Sequence, residues 1–126
     1  MTVAYVDTSC LVTIAFGERG GTAMARRLGR YDVLVSANLL EAELRGAFAR
    51  EDVPFHARAL SSISWVLPDR PLGPEIARAL EAGYLRGADL WHLACALYLV
   101  EDLGPLPFVT LDDRQREVAQ ALGLET

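Results

Sequence analysis

Apolar residues along this chain fall into two kinds of segment that alternate. Short continuous runs end in a small polar or acidic residue, and longer stretches repeat their apolar positions every three to four residues. Val3, Ala4, Tyr5 and Val6, closed by Asp7, Thr8 and Ser9, read as a buried strand feeding a helix over residues 11–16. A second helix is expected over 22–28 and a second strand over 32–36, separated from the first pair by a loop marked by Gly17, Gly20 and Gly21. Asn38 with Glu41 resembles a capping box and predicts a helix over 39–50. Pro54 suits the first turn of another helix, 55–63, ahead of a short edge strand at 65–67 stopped by Pro68. Helices over 74–85 and 88–100 follow, the latter apolar nearly all round and therefore buried. A turn through Gly104, Pro105 and Pro107 leads to a strand over 108–111, a helix that ends at Gly123, and a terminal strand beginning at Leu124. Strands alternating with helical segments of this length predict an α/β fold, one domain over 1–126, with a mostly parallel sheet of four to five strands covered by helices on both faces. No internal repeat, linker or low-complexity segment interrupts it.

Composition narrows the chemistry. The chain has 52% hydrophobic and 23% charged residues, as a packed globular core requires. The N-terminal apolar run is broken by Asp7 and the segment 88–100 carries Asp89 and His92, so neither reads as a targeting or membrane segment; a soluble, cytoplasmic protein is expected. Cys10 and Cys95 lie in apolar segments and read as reduced core residues. All twelve basic residues are arginine, which removes Schiff-base lysine chemistry and the lysine of a phosphate-binding P-loop. A net charge of −5 argues against nucleic acid at first sight. Carboxylates gathered on two divalent cations would bring that balance to roughly −1, so the charge leaves the partner open.

Several acids point the wrong way for surface residues. A helix turns about 100° per residue, so each acidic side chain can be compared with the apolar stripe of its helix. In 39–50 that stripe is Leu40, Leu44, Ala47 and Phe48; Glu43 falls inside it, whereas Glu41 lies at its edge and can pair with Arg45. Asp89 sits on the arc of Leu93, Ala96, Leu97 and Val100 at the start of a buried helix, and His92 shares its face. Asp7 ends a strand, and Asp112 and Asp113 follow another. Each has a structural alternative: helix caps for Asp7, Asp89 and one of the Asp112/Asp113 pair, a rim or ion-paired position for Glu43, and a hydrogen-bonded core position for His92. Jointly they suggest a shared site. Two carboxylates ~5 Å apart repel by about 3 kcal/mol at an effective dielectric of ~20, so such a cluster binds cations or takes up protons. An all-oxygen donor set favours Mg²⁺ or Mn²⁺ over zinc, and such an ion completes its shell with water and phosphate oxygens, which makes phosphodiester hydrolysis the natural chemistry.

The order and surroundings of these acids resemble the PIN-domain nucleases, and among them the VapC-like ribonuclease toxins of toxin–antitoxin pairs. Tyr5 to Ser9 is similar to the opening strand and hydroxyl-bearing turn of that family. Ser36 through Glu43 and Leu44 is similar to its second segment, Asp89 to Leu97 to its third helix, and Val109 to Asp112, with Ala119, Leu122 and Gly123 beyond, to its last motif. The resemblance implies a three-layer α/β/α fold and a Mg²⁺- or Mn²⁺-dependent endoribonuclease, inhibited by a cognate antitoxin and often a homodimer. It implies Asp7, Glu43, Asp89 and Asp112 as catalytic metal ligands, favouring Asp112 over Asp113. Thr8, Ser9 and Thr110 are placed to hydrogen-bond those acids, and Arg19, Arg86, Arg114 and Arg116 lie near the expected functional edge, within reach of RNA phosphates. Two rival readings are a receiver-like or aspartyl-phosphate phosphotransfer protein, which would want a lysine that this chain lacks, and a non-catalytic scaffold of the same fold, which should have lost one of the acids.

Overall fold

The computed structural model describes residues 1–126. Four parallel strands form its sheet: β1 (Val3–Val6), β2 (Val33–Ala37), β3 (Ile63–Val66) and β4 (Phe108–Val109), in the spatial order β3-β2-β1-β4. β1, the strand that ends at Asp7, is central, pairing with β2 on one side (Ala4 opposite Leu34) and β4 on the other (Val6 opposite Val109). Six helices complete the fold: α1 (Thr8–Ala15), α2 (Gly21–Leu28), α3 (Leu39–Arg50), α4 (Gly73–Ala82), α5 (Gly87–Leu103) and α6 (Asp113–Ala121).

Successive strand residues point to opposite faces, and this alternation divides the core in two. Ala4, Val6, Leu34, Ile63 and Val109 pack against Cys10, Leu11, Met24, Leu28, Leu40, Leu44 and Phe48 from α1 to α3. Tyr5, Val35, Ala37, Val66 and Phe108 face the other way, onto Ala79 of α4, Leu93 to Leu97 of α5, and Val118 and Ala119 of α6. The result is three layers, α/β/α. Both cysteines are free and buried, as their apolar surroundings predict. No helix is long and apolar enough to cross a membrane.

Three sequence expectations fail locally. The helix expected over 55–63 is a 3-10 turn of four residues, Ala57–Leu60, and Ile63 opens β3. Phe55, Ala59, Leu60 and Ile63 have helical spacing, but pairing of Ile63 with Leu34 of β2 overrides it. The terminal strand at Leu124 does not form; Leu124 is buried, and Phe108 N–H donates a single hydrogen bond to Glu125 O at 2.7 Å. The Asn38 capping box is also absent: Asn38 is itself helical and its side chain caps nothing. Glu41 instead accepts from Arg45 at 2.7 Å.

Candidate active site

The functional edge is built by four chain turns at the carboxyl ends of β1, β2 and β4 and the start of α5, where an open α/β sheet ordinarily binds ligands. Asp7 leaves β1 in an extended conformation and its carboxylate accepts from Ser9 N–H at 3.1 Å, so it caps α1 while remaining only 5% exposed. Capping and a site role are compatible here, because the cap bond uses Oδ2 and leaves Oδ1 to meet α5 and α6. Asp112 does the same for α6, accepting from Gln115 N–H at 2.7 Å. Asp113, one residue on, points to solvent and pairs with Arg116 at 2.6 Å, so of the two it is Asp112 that faces the other acids.

Glu43 reaches the same edge from the second turn of α3, on the inward face that its helical position predicts. Its Oε1 accepts from Thr8 Oγ1 at 2.8 Å and lies 2.7 Å from His92 Nε2. Burial works to raise this carboxyl, but the bonds to His92 and Thr8 outweigh it and hold the group below its ordinary range. Asp89, in the first turn of α5, shows the opposite balance. Burial and then the charges of Asp7, Asp112 and Glu43 push its carboxyl up. Acids from four chain segments therefore meet at this edge, with the charges of three acting on Asp89.

Hydroxyl and amide groups tie the acids together. Thr110 Oγ1 donates its one hydrogen to Gln115 Oε1 at 2.6 Å, lies 3.3 Å from Asp7 Oδ2, and accepts from Asp112 N–H at 3.1 Å. Ser9 supports Asp7 through its backbone N–H; its hydroxyl accepts from Leu111 N–H instead. Thr8 serves Glu43 rather than Asp7. Two contributors were not assigned a site role from the sequence. Gln115, fully buried, extends Nε2 to Asp7 Oδ1 at 3.4 Å and to Asp89 O at 3.2 Å. His92, also fully buried, is the hydrogen-bonded core histidine that its place on α5 suggests, yet it bonds Glu43 and lies 3.7 Å from Asp7 Oδ1. The shared face of His92 and Asp89 on α5 is the sequence signal for the histidine; nothing in a polar helix such as α6 marks Gln115.

The arginines divide. Arg86, Arg114, Asp89 and Asp112 line one cleft of about 380 Å³ with Tyr84 and Leu85. Arg116 bonds Thr110 O at 2.9 Å beside it. Arg19 does not join them: it lies in the loop after α1, whose eight residues carry the chain about 12 Å from Asp7, and its neighbour Glu18 lines a separate groove with Arg50 at the far end of α3. Nearness to Asp7 in sequence suggests the functional edge, but the direction of α1 takes Arg19 away from it.

Carboxylate oxygens are hard donors suited to Mg²⁺ or Mn²⁺, and the mutual repulsion at Asp89 is what a divalent ion would relieve, so the donor set fits such a group. The side chains are not drawn around one point: no three acidic, histidine or cysteine groups stand within coordinating distance of a common position. Glu43 is turned to His92 and Thr8, and Asp7 and Asp112 each hold a helix cap.

Known proteins share the sequence pattern of this chain over most of its length. The PIN domain family matches residues 4–121, from the first strand to the end of α6. The chain is 34% identical to "Ribonuclease VapC46" of Mycobacterium tuberculosis (strain ATCC 25618 / H37Rv), over 98% of this chain and 95% of that protein. No solved structure matches. With the central strand, the acid-bearing edge and the last helix all inside the matched span, the chain belongs to the PIN-domain family.

Proposed function

We propose that this protein is a divalent-metal-dependent endoribonuclease, acting as the toxin of a toxin–antitoxin pair. The observation that carries the reading is the meeting of Asp7, Glu43, Asp89 and Asp112 at one sheet edge, linked through His92, Gln115 and a shared cleft. Its similarity to a ribonuclease over nearly the full chain supports the choice of RNA as substrate. Asp7, Asp89 and Asp112, with Glu43 opposite, would hold Mg²⁺ or Mn²⁺ directly or through water. Such an ion, when bound, supplies a water of lowered pKa and neutralises charge on a phosphate.

The chain's own residues do the rest. Thr110 and Gln115 hold Asp7 and Asp112 in register, and Thr8 orients Glu43. Arg86, flanking the cleft beside Asp89 and Asp112, is placed to bind RNA phosphates and draw a polyanion to an otherwise acidic protein; Arg114 lines the same cleft while bonded to Tyr84 O at 3.2 Å and to Glu117 at 3.1 Å. Arg116 is largely engaged with Asp113 and Thr110 and shapes the loop. A cognate antitoxin would act by covering this edge, and a homodimer is the expected assembly.

The test is cleavage of a pool of end-labelled RNAs with added Mn²⁺. Asp7→Asn and Glu43→Gln should each abolish metal-dependent cleavage while leaving the far-UV circular dichroism unchanged. Full activity in both variants would refute the reading.

A further inference from the structure

A chain of buried hydrogen bonds crosses the sheet from the α5 layer to Glu43 on the α3 layer, and its donors can be assigned. Tyr5, in the middle of β1, is fully buried, stacked on Phe108 with ring centroids 5.1 Å apart and set edge-on to His92 at 5.7 Å. Its hydroxyl oxygen accepts from Ala37 N–H at 3.0 Å. The hydroxyl hydrogen must then go elsewhere, and His92 Nδ1 lies 2.7 Å away. On the other side of the ring, Nε2 lies 2.7 Å from a carboxylate oxygen of Glu43, which can only accept, so the hydrogen of a neutral imidazole sits on Nε2 and not on Nδ1. Nδ1 is thus the acceptor, and an imidazole with a bare Nδ1 carries its hydrogen on Nε2. That nitrogen faces Glu43 Oε1 at 2.7 Å, the same oxygen that receives the Thr8 hydroxyl at 2.8 Å.

We propose that Tyr5 and His92 are positioning residues for Glu43: Tyr5 fixes His92 as the Nε2–H tautomer, and His92 with Thr8 pins Glu43 Oε1 so that Oε2 is left to a ligand. The proposal rests on the reading of Glu43 as part of a metal site. A hydrophobic residue would fill the position of His92 in the apolar face of α5 without the cost of burying two polar nitrogens. The bonds that offset that cost run in one direction, from the Ala37 amide through Tyr5 and His92 to the carboxylate. Both donors converge on Oε1, and Oε2 has no partner within the protein. Outer partners that orient a ligating group are worth about 10–100-fold in metal affinity when removed.

Two measurements on the full chain test this. Nitrogen-15 NMR of histidine-labelled protein near neutral pH should show His92 as the Nε2–H tautomer, and Tyr5→Phe should mix the tautomers. An Nδ1–H tautomer or an imidazolium in the wild type overturns the proposal. Mn²⁺ titration should show about tenfold weaker binding for His92→Leu, with partial recovery in His92→Gln, whose amide can still donate to Glu43. Wild-type affinity in both overturns it, and so does equal loss in both, because a purely packing role would not distinguish them by hydrogen bonding. A wild type that binds no Mn²⁺ and cleaves no RNA defeats the proposed function instead, and the tautomer measurement still decides the hydrogen-bond assignment.

Discussion

Gln115 bonds Asp7, the backbone of Asp89 and Thr110 at once, and its replacement by glutamate has a calculable cost. The two side chains have nearly the same shape, so Gln115→Glu changes little but the chemistry of one atom. In the wild type Nε2 donates toward Asp7 Oδ1 at 3.4 Å and Asp89 O at 3.2 Å, while Oε1 accepts from Thr110. In the variant an oxygen faces two acceptors. If both carboxylates stay ionised, the 3.4 Å separation gives a repulsion of about 5 kcal/mol at an effective dielectric of ~20. The alternative is to keep the new carboxyl protonated, which near pH 7.5 means holding a group of ordinary pKa about 4.3 some three units above it, at about 4 kcal/mol. The smaller penalty prevails, so the variant should lose about 4 kcal/mol near neutral pH.

The sign follows from linkage. The introduced carboxyl has a folded pKa raised above its unfolded value, so its penalty is absent below about pH 4.3 and grows by about 1.4 kcal/mol per unit as pH rises. Thermal melts in chelator, followed by circular dichroism, should place the variant more than about 10 °C below the wild type near pH 7.5, and much closer to it near pH 5. Melting within about 2 °C of the wild type at the higher pH, or a deficit that does not shrink on acidification, would refute the assigned network.

Asp89→Asn should raise the melting temperature of the metal-free protein at neutral pH. The folded pKa of Asp89 is raised by burial and by Asp7, Asp112 and Glu43, so the ionised group costs stability above that pKa and the cost fades as pH falls through it; a gain that persists unchanged in acid would contradict this. Gly21→Ala should destabilise by about 1–3 kcal/mol, because its Cβ would stand 2.8 Å from the backbone oxygen of Thr13 where α2 packs on α1, and urea denaturation with no shift in midpoint would show that the two helices are not so close.

What the sequence discloses and what it hides divide along physical lines. Glu43 and Asp89 were found because a helix imposes a fixed angle per residue, and an acid on the apolar arc stands out without knowledge of the rest of the chain. Asp7 and the acids after β4 were found because an apolar run ending in a carboxylate marks a strand end. The same reasoning fails where an outcome depends on distant partners. Residues 55–63 carry a helical spacing that only pairing of Ile63 with Leu34 could overrule, and Leu124 packs under β4 without joining the sheet. Gln115 looks like one more polar residue until α6 is laid over the ends of β1 and α5. Arg19 shows the reverse error: it is close to Asp7 in sequence but α1 carries it away. His92, on the apolar arc of α5, fits a core or a functional role by sequence, and the structure makes it a core residue bonded to a site acid.

The central claim is that the acids at the sheet edge form a divalent-ion site, and Mn²⁺ binding followed by electron paramagnetic resonance tests it without knowledge of the RNA target. Wild-type protein should bind Mn²⁺ saturably, and Asp7→Asn, folded by circular dichroism, should lose most of that binding. Equal binding by the two proteins, or none by the wild type, would contradict the account.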